Sequence, residues 1–381
     1  MSVARWRVDC LVGARPNFVK IAPIMRALAA DARFSVRLLH TGQHYDAAMS
    51  GVFFEELGIP APAANLEASG GDIDQIARVM TGLAQIYASQ RPHLLLIVGD
   101  VNSTLAAALA GVKLGVPLAH VEAGLRSRDR AMPEEINRLV VDRLSDLLLI
   151  TEPDARRNLL SEGCAPERIV FVGNVMIDSL HFALARAAPP EDTLRAAGWG
   201  KDAAAHREGF GLVTLHRPSN VDDPARLAAL FGALLRISQR LPLLFPAHPR
   251  TRAAMARAGI AADIASGRLR ITPPLAYLQM VSVMRAARLV ITDSGGVQEE
   301  TTALGAPCLT YRDNTERPIT ISDGTNRLVG ADPAALEAAT LETLAAPPGP
   351  ARIPQLWDGR AAPRIVEAVA EFLAQKSLQD A

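Results

Sequence analysis

Residues Leu289 to Glu300 read Leu-Val-Ile-Thr-Asp-Ser-Gly-Gly-Val-Gln-Glu-Glu. The apolar, β-branched start predicts a buried strand, and the Ser-Gly-Gly turn after it leads into a helix. Backbone N–H groups at such a helix start, with the helix dipole and the Ser294 hydroxyl, favour a phosphate. Glu299 and Glu300 follow within two turns, where a carboxylate can accept hydrogen bonds from a ribose diol. The segment predicts a nucleotide diphosphate site without a metal; the alternative is a capped helix whose acids suit its dipole.

Strand and helix patterns alternate along the whole chain, which has 381 residues and so suits two domains. Such alternation is typical of parallel sheets covered on both faces. We therefore predict an α/β fold with two doubly wound Rossmann-like domains, at residues 1–185 and 186–360. A C-terminal helix at 361–381 is expected to pack back on the first domain. In these sheets ligands bind at the carboxyl ends of the strands, so the loops after the strands matter most.

The expected elements are short strands separated by longer helices. Predicted strands are 7–12, 35–41, 93–98, 117–121, 146–151 and 169–172 in the first half, and 211–215, 242–246, 269–272, 289–292 and 307–310 in the second. Predicted helices include 18–30, 72–90, 104–114 and 134–144.

Composition excludes several classes of partner. Lys and Arg together number 40, as do Asp and Glu, so no net field favours nucleic acid or an anionic membrane. Charged residues interrupt the N-terminal apolar stretch, and no apolar run reaches the roughly 18 residues of a membrane span. The three cysteines form no CxxC pair, and the eight histidines form no HxxxH or HxH cluster. We therefore expect a cytoplasmic protein without a metal or another cofactor.

The segment Gly13-Ala-Arg-Pro-Asn-Phe-Val-Lys20 follows the first predicted strand. It is neither a dinucleotide fingerprint nor a Walker A loop. Arg15 and Lys20 lie near a helix start, where they oppose the helix dipole, and this indicates an anionic partner. The alternative for Arg15 is a solvated surface charge.

Three carboxylates follow predicted strands or begin a helix in the first domain. Asp100 ends one strand, although Asp100 or Ser103 can also be read as a helix cap. Glu122 ends the next strand and needs a partner if buried, so a salt-bridged structural role is its alternative. Glu134 begins a helix, which is also ordinary helix-start chemistry. Grouped carboxylates raise one another's pKa, so together they predict acid–base chemistry near neutral pH.

The second domain adds basic residues at its strand ends. His216 ends the first predicted strand there, with a structural histidine as the alternative. His248 gives a weaker signal of the same kind. Arg317 follows the strand that contains Cys308 and can reach a phosphate.

Together these loops resemble the non-hydrolysing UDP-N-acetylglucosamine 2-epimerases, a family with two Rossmann-like domains and a cleft between them in the GT-B arrangement. Order, spacing and placement at strand ends all agree over nearly the whole chain. The resemblance rests on Gly13–Lys20, Gly99-Asp100, His120-Val-Glu-Ala-Gly-Leu-Arg126, Pro133-Glu-Glu-Ile-Asn-Arg138, Gly173-Asn174, His216-Arg217, Asp293–Glu300 and Thr315-Glu-Arg-Pro318.

The resemblance implies a reversible conversion of UDP-GlcNAc to UDP-ManNAc. UDP leaves by anti elimination to give 2-acetamidoglucal, then adds back while C2 is reprotonated on the opposite face. It also implies a homodimer. Acid–base catalysis is implied for Asp100, Glu122 and Glu134, and contact with UDP or its diphosphate for Arg15, Lys20 and His216, of which His216 is counted with the catalytic set.

The remaining implied residues bind the nucleotide. Ser294, Gly295 and Gly296 bind the phosphates, Glu300 binds the ribose, and Arg317 completes the nucleotide site.

The chain departs from the family pattern at several places. Asn17 replaces a common glutamate, and Met280 and Leu275 replace a phenylalanine and a glutamine near the uracil. The loop 127–132 is shorter than in many bacterial members. Gln43-His-Tyr-Asp46 replaces the Gln-His-Arg-Glu of members regulated by UDP-GlcNAc, which makes that regulation doubtful.

Four other functions remain open. The same chemistry on a modified UDP-sugar, such as a 2,3-diacetamido derivative, fits the changes near the sugar. A hydrolysing epimerase is disfavoured because that branch has a Glu-Gly-Gly-type segment where this chain has Glu122-Ala-Gly124. A GT-B glycosyltransferase is disfavoured because it needs no set of three carboxylates. A nucleotide-sugar binder without catalysis is disfavoured because it needs none of the acid–base positions.

Overall fold

The computed structural model describes residues 5–42, 54–200, 204–260, 267–346 and 352–379. The chain divides into two compact units, Met1–Phe182 with Gln355–Ala381, and Ala183–Pro354. The segment Gln43–Asp46, named above for regulation, lies outside the described residues.

The first unit is built on a sheet of seven parallel strands in the order β3-β2-β1-β4-β5-β6-β7. The chain winds outward on one side of β1 and then on the other, which makes the sheet doubly wound with its switch point between β1 and β4. The strands are β1 Trp6–Val12, β2 Phe34–His40, β3 Ala64–Asn65, β4 Leu94–Val98, β5 Leu118–Val121, β6 Leu147–Ile150 and β7 Ile169–Phe171. The helices are α1 Arg15–Ala30, α2 Asp72–Tyr87, α3 Asn102–Lys113, α4 Pro133–Leu144, α5 Pro153–Ser161 and α6 Val175–Leu184.

The second unit repeats this plan with six parallel strands in the order β10-β9-β8-β11-β12-β13. The strands are β8 Gly211–Thr214, β9 Leu243–Pro246, β10 Leu269–Thr272, β11 Leu289–Thr292, β12 Cys308–Thr310 and β13 Asn326–Leu328. The helices are α7 Pro190–Ala196, α8 Ala204–Glu208, α9 Pro218–Val221, α10 Pro224–Ser238, α11 Pro249–Arg257, α12 Tyr277–Ala286, α13 Gly295–Leu304, α14 Ile319–Ser322 and α15 Pro333–Ala345. The final helix, α16 Ala361–Gln379, belongs to the first unit and packs against α1.

The central strands explain why both sheets are parallel and covered. Every residue of β4 and of β11 is buried, so neither strand has a polar face. Such strands are stable only with helices on both sides of the sheet. The predicted α/β class with two doubly wound sheets is confirmed.

Two helix starts differ from the prediction. Helix α1 begins at Arg15 rather than Phe18, because Pro16 stands at a first-turn position where its missing N–H is no loss. Helix α3 begins at Asn102 with Val101 at its N-cap, and no side chain caps it. The reading of Asp100 or Ser103 as a helix cap is therefore wrong.

Candidate active site

The start of α1 is tied to the end of β4 by Asn17. Its amide oxygen accepts a hydrogen bond from the Ala14 N–H at 3.1 Å, and its amide nitrogen donates to the Val98 carbonyl at 2.8 Å. A carboxylate cannot donate the second bond, so the amide suits this chain's local geometry. The backbone of Arg15 begins this helix, whereas its side chain lies outside the described part of the molecule.

Lys20 in α1 forms a buried ion pair with Glu122, which directly follows β5. The Lys20 Nζ donates to Glu122 Oε2 at 2.5 Å, and both side chains are less than a tenth exposed. Gly99 packs against the pair, since a Cβ there would lie 3.1 Å from Lys20 Nζ. The structure thus brings together one predicted acid–base residue and one predicted diphosphate contact.

Glu122 also has strained backbone geometry. Its φ of 69° lies in the left-handed region, which costs a non-glycine residue about 1 kcal/mol or more. Strain of this kind persists where the surroundings fix a residue, and it is concentrated at functional sites. The buried pairing with Lys20 supplies such a constraint.

Asp100 is held by residues of α4. Its carboxylate accepts a hydrogen bond from Arg138 Nη1, and its main-chain carbonyl accepts from Asn137 Nδ2 at 2.8 Å. The side chain of Asp100 is 27% exposed, so solvent and small molecules can reach it. Arg138 thereby orients the carboxylate while leaving it accessible.

Glu134 and its neighbour Glu135 have different environments. Glu134 is exposed in the first turn of α4, whereas Glu135 is buried. The Glu135 carboxylate accepts hydrogen bonds from the backbone of Ser127 and Arg128 and from Arg138. Burial alone would raise the pKa of Glu135, but these bonds hold it below its ordinary value. Sequence reasoning missed Glu135, although its spacing of three from Arg138 was a signal for a helical ion pair.

Asp293, which directly follows β11, organises the loop after β8 that carries His216. Its buried carboxylate accepts from the His216 and Arg217 backbone N–H groups at 3.0 and 2.9 Å, and the His216 Nδ1 lies 3.1 Å from it. Burial alone would raise the pKa of Asp293, but the contacts with His216 and the other donors bring it below its ordinary value. The His216 side chain is 43% exposed and so combines a fixed orientation with access.

The predicted phosphate-binding residues lie at the start of α13. Ser294, Gly295 and Gly296 are all partly exposed, and no side chain caps this helix. A Cβ on Gly295 would lie 2.5 Å from Arg317 Nη1, so the arginine packs directly against the glycine backbone. Uncapped N–H groups beside a guanidinium suit an anion.

Buried acids fix Arg317 in this position. Its Nη1 donates to Glu316 at 2.6 Å, and its Nε lies 2.8 Å from Glu299 Oε1. Burial alone would raise the pKa of Glu316, but the charges of Arg317 and Arg312 hold it well below its ordinary value. Glu299 and Glu316 therefore hold the guanidinium of Arg317 in place.

Glu300, the predicted ribose ligand, is buried and accepts a hydrogen bond from the Tyr277 hydroxyl at 2.9 Å. Burial and the nearby charge of Glu299 raise the pKa of Glu300 to about 7. Met280 and Leu275 are partly buried and pack against an apolar cluster that includes Val283. Sequence reasoning missed Tyr277, because nothing in the local pattern links it to a carboxylate 23 positions away.

The described residues contain no group of three or more His, Cys, Asp or Glu side chains placed to hold a metal ion. Within the same part of the chain, every helix is too short or too polar to cross a membrane.

Comparison with known proteins identifies the family. A family model described as UDP-N-acetylglucosamine 2-epimerase matches residues 26–370, which is most of the chain. The chain belongs to this epimerase family. The predicted membership, and with it the class of nucleotide-sugar 2-epimerase, is confirmed.

Individual epimerases match at substantial identity. A Pseudomonas aeruginosa UDP-2,3-diacetamido-2,3-dideoxy-D-glucuronate 2-epimerase is 42% identical over 329 residues, covering 85% of this chain and 88% of the relative. A Methanococcus maripaludis UDP-N-acetylglucosamine 2-epimerase is 37% identical, covering 86% of this chain and 89% of the relative. The crystal structure of Methanocaldococcus jannaschii UDP-GlcNAc 2-epimerase with UDP-GlcNAc and UDP matches 96% of this chain and 99% of its own, with a TM-score of 0.83 and 34% identity.

Family membership leaves the roles of individual residues as predictions. In the first unit of this epimerase, Asp100 and Glu122 follow the neighbouring strands β4 and β5, Lys20 lies in α1, and Glu134 lies at the start of α4. In the second unit, His216, Ser294 and Arg317 follow the neighbouring strands β8, β11 and β12.

Proposed function

We propose that the protein inverts C2 of a UDP-2-acetamido sugar by elimination and re-addition of UDP. The Lys20–Glu122 pair carries the proposal, because a strained, buried carboxylate is fixed at 2.5 Å from a cation at a strand end where ligands bind. Glu122 follows β5 and Asp100 follows the neighbouring strand β4, so two fixed carboxylates lie at this edge of the sheet for proton transfer.

The reaction balances without a redox cofactor. One carboxylate takes the proton from C2, the C1–O bond breaks towards UDP, and a C1–C2 double bond forms. UDP oxygen then attacks C1 while another acid returns a proton to C2 on the opposite face. Asp100, Glu122 and Glu134 are the proposed acid–base groups, with His216, and the face on which each acts is left open.

The nucleotide is assigned to the second domain, residues 186–360, and the acid–base residues to the first, residues 1–185. The uncapped start of α13 and the fixed guanidinium of Arg317 support diphosphate binding there. Glu300 is assigned to the ribose and Met280 to the base, with Arg15 and Lys20 contributing positive charge for the leaving diphosphate. UDP must stay bound after elimination, because it is the nucleophile of the second step.

UDP-GlcNAc is the first substrate to test, and a UDP-2,3-diacetamido uronic acid is the second. The identity of 42% to the Pseudomonas aeruginosa enzyme favours the second. We also propose a cytoplasmic homodimer that supplies surface-polysaccharide synthesis; light scattering on the purified full chain tests the dimer.

The test is incubation with each UDP-sugar in D2O without added NAD or metal, followed by NMR. The proposal predicts the C2 epimer of the UDP-sugar with deuterium at C2. Free N-acetylmannosamine would indicate hydrolysis instead. Absence of C2 exchange with both sugars would contradict the proposal.

A further inference from the structure

A buried histidine connects the two strand ends that carry Asp100 and Glu122. His120 is fully buried in β5, with its Nδ1 2.7 Å from Asp142 Oδ1 and its Nε2 2.9 Å from the Gly99 carbonyl oxygen. Gly99 directly precedes Asp100, and His120 lies two residues before Glu122. The ring thus bridges β4 and β5 at the proposed acid–base residues.

The two partners of the ring determine its protonation. A main-chain carbonyl only accepts hydrogen bonds, so Nε2 must carry a proton to donate to Gly99. Burial alone would raise the pKa of Asp142, but the hydrogen bond with His120 and the charge of Arg126 bring it below its ordinary value. An ionised carboxylate also only accepts, so Nδ1 carries a proton as well. When the ring donates in both contacts, at 2.7 Å to Asp142 and at 2.9 Å to Gly99, it has the form of an imidazolium.

The charges around the ring suit a cation at position 120. Asp142 Oδ2 accepts from the Gly124 N–H at 2.9 Å and lies 2.8 Å from Arg126 Nη1, and Arg126 also pairs with Glu162 at 2.6 Å. The two cations His120 and Arg126 therefore face two carboxylates. Nearby, Lys20 faces Glu122, and Arg138 faces both Asp100 and Glu135. A buried charge is tolerated when it is paired and hydrogen-bonded in this way.

We propose that His120, held as an imidazolium by Asp142, is a positioning residue for the epimerase reaction, an inference that rests on the proposed function. Its Nε2–H fixes the Gly99 carbonyl, and with it the peptide plane that leads into Asp100. Through Asp142 it also fixes Gly124, so the strained backbone of Glu122 is held from both sides. A neutral ring donates from one nitrogen only and cannot make both bonds to acceptors.

The first measurement is a spectroscopic one on the full-length protein. Histidine is labelled with 15N, and the His120 signal is assigned by its loss in His120→Gln and independently by sequential backbone-to-ring correlations in the wild type. At pH 7.5 the wild type is expected to show both His120 nitrogens protonated. In Asp142→Asn the amide can donate to Nδ1 while its oxygen accepts from Gly124, so the ring is expected to become neutral with its bond to Gly99 kept.

The second measurement is kinetic. An amide at position 120 reaches only one of the two acceptors, so His120→Gln is expected to lower kcat about 100-fold through misplacement of the acid–base groups, with KM changed far less. Asp142→Asn is expected to lose less activity than His120→Gln. The control His206→Gln alters an exposed histidine of the second unit and is expected to keep full activity.

A neutral His120 ring in the wild type at pH 7.5 would overturn the inference, as would a kcat within two-fold of wild type in His120→Gln. If His120→Gln fails to fold, Asp142→Asn decides, because an imidazolium signal that persists without the carboxylate contradicts the role of Asp142. Absence of C2 exchange in the wild type would overturn the proposed function instead, and the NMR measurement of the ring does not depend on turnover.

Discussion

The carboxyl edges of the two sheets hold their charges in different ways. At the first edge, Glu122 and Asp100 each contact one cation, and Glu122 carries backbone strain. At the second edge, Glu299 and Glu316 are buried around Arg317, and the start of α13 has no side-chain cap. One fold thus places strained or partly exposed carboxylates at one edge, whereas at the other edge buried acids hold a cation beside free backbone N–H groups.

The largest expected effect comes from neutralising a carboxylate at the first edge. Asp100→Asn removes a proposed acid–base group while keeping the shape that Arg138 and Asn137 hold. We expect kcat to fall about 1,000-fold, within the usual range for loss of a general acid or base. UDP affinity, measured by calorimetry, is expected to stay near the wild-type value because nucleotide binding is assigned to the other edge.

Asp154→Asn is the matched control. The Asp154 side chain in α5 is 42% exposed, and within the described residues its ion pair is with the surface residue Arg157. Its turnover is expected to be unchanged. Unchanged turnover in Asp100→Asn would remove Asp100 from the mechanism and with it the contrast between the two edges.

At the second edge, Glu300→Gln tests whether a buried acid lowers stability when ionised. The pKa of Glu300 is raised from 4.5 to about 7, so between these values the unfolded chain ionises while the folded protein stays protonated. Wild-type stability therefore falls as pH rises through this window and levels off above it. The variant mimics the protonated acid and does not titrate. The difference in free energy of unfolding between the variant and the wild type is therefore expected to rise in favour of the variant, by up to about 3 kcal/mol from pH 4 to pH 8.

Denaturant unfolding at several pH values measures this difference. Glu342→Gln, at an exposed glutamate in α15, is the control and is expected to show almost no pH-dependent difference. A Glu300→Gln curve parallel to the wild type across this range would mean that folding does not raise the pKa of Glu300.

The sequence predicted the sheets and most strand ends because buried parallel strands read as continuous apolar runs between helical patterns. The segment Leu289–Glu300 was informative for this reason: β11 and α13 follow directly from its composition. Helix starts were less predictable, as at Arg15, because Pro16 is tolerated in a first turn although proline usually interrupts helices.

The sequence could not distinguish residues whose roles depend on tertiary packing. Glu134 and Glu135 are adjacent acids at one helix start, and only the position of Ser127 and Arg138 makes the second the buried one. His120 and Asp142 are 22 positions apart, and their contact follows from the placement of α4 beside β5. Long-range pairs of this kind need the fold before they can be recognised.

Gly295→Ala tests the close approach that defines the second edge. A methyl group there would lie 2.5 Å from Arg317 Nη1 and 2.6 Å from Glu316 Oε1, so the guanidinium must move. We expect UDP affinity to fall about 10-fold, in line with the loss of one charge-assisted contact. Gly232→Ala in α10 is the control, since its methyl group would meet only Arg236 at 3.5 Å. Wild-type affinity in Gly295→Ala would show that Arg317 does not need this position to bind the nucleotide.

The smallest expected effect concerns a carboxylate outside the predicted site, in the first turn of α6. Asp178 accepts hydrogen bonds from the Ala361 and Ala362 N–H groups at 3.1 and 2.9 Å and so caps the start of α16. Asp178→Ala leaves these two donors without their partner, and we expect the free energy of unfolding to fall by about 1 kcal/mol with kcat unchanged. Asp178→Asn keeps an acceptor and should lose less, because Asn caps helices nearly as well as Asp. A fall in kcat with unchanged stability would mean that Asp178 is functional, and that the acid–base set extends beyond Asp100, Glu122 and Glu134.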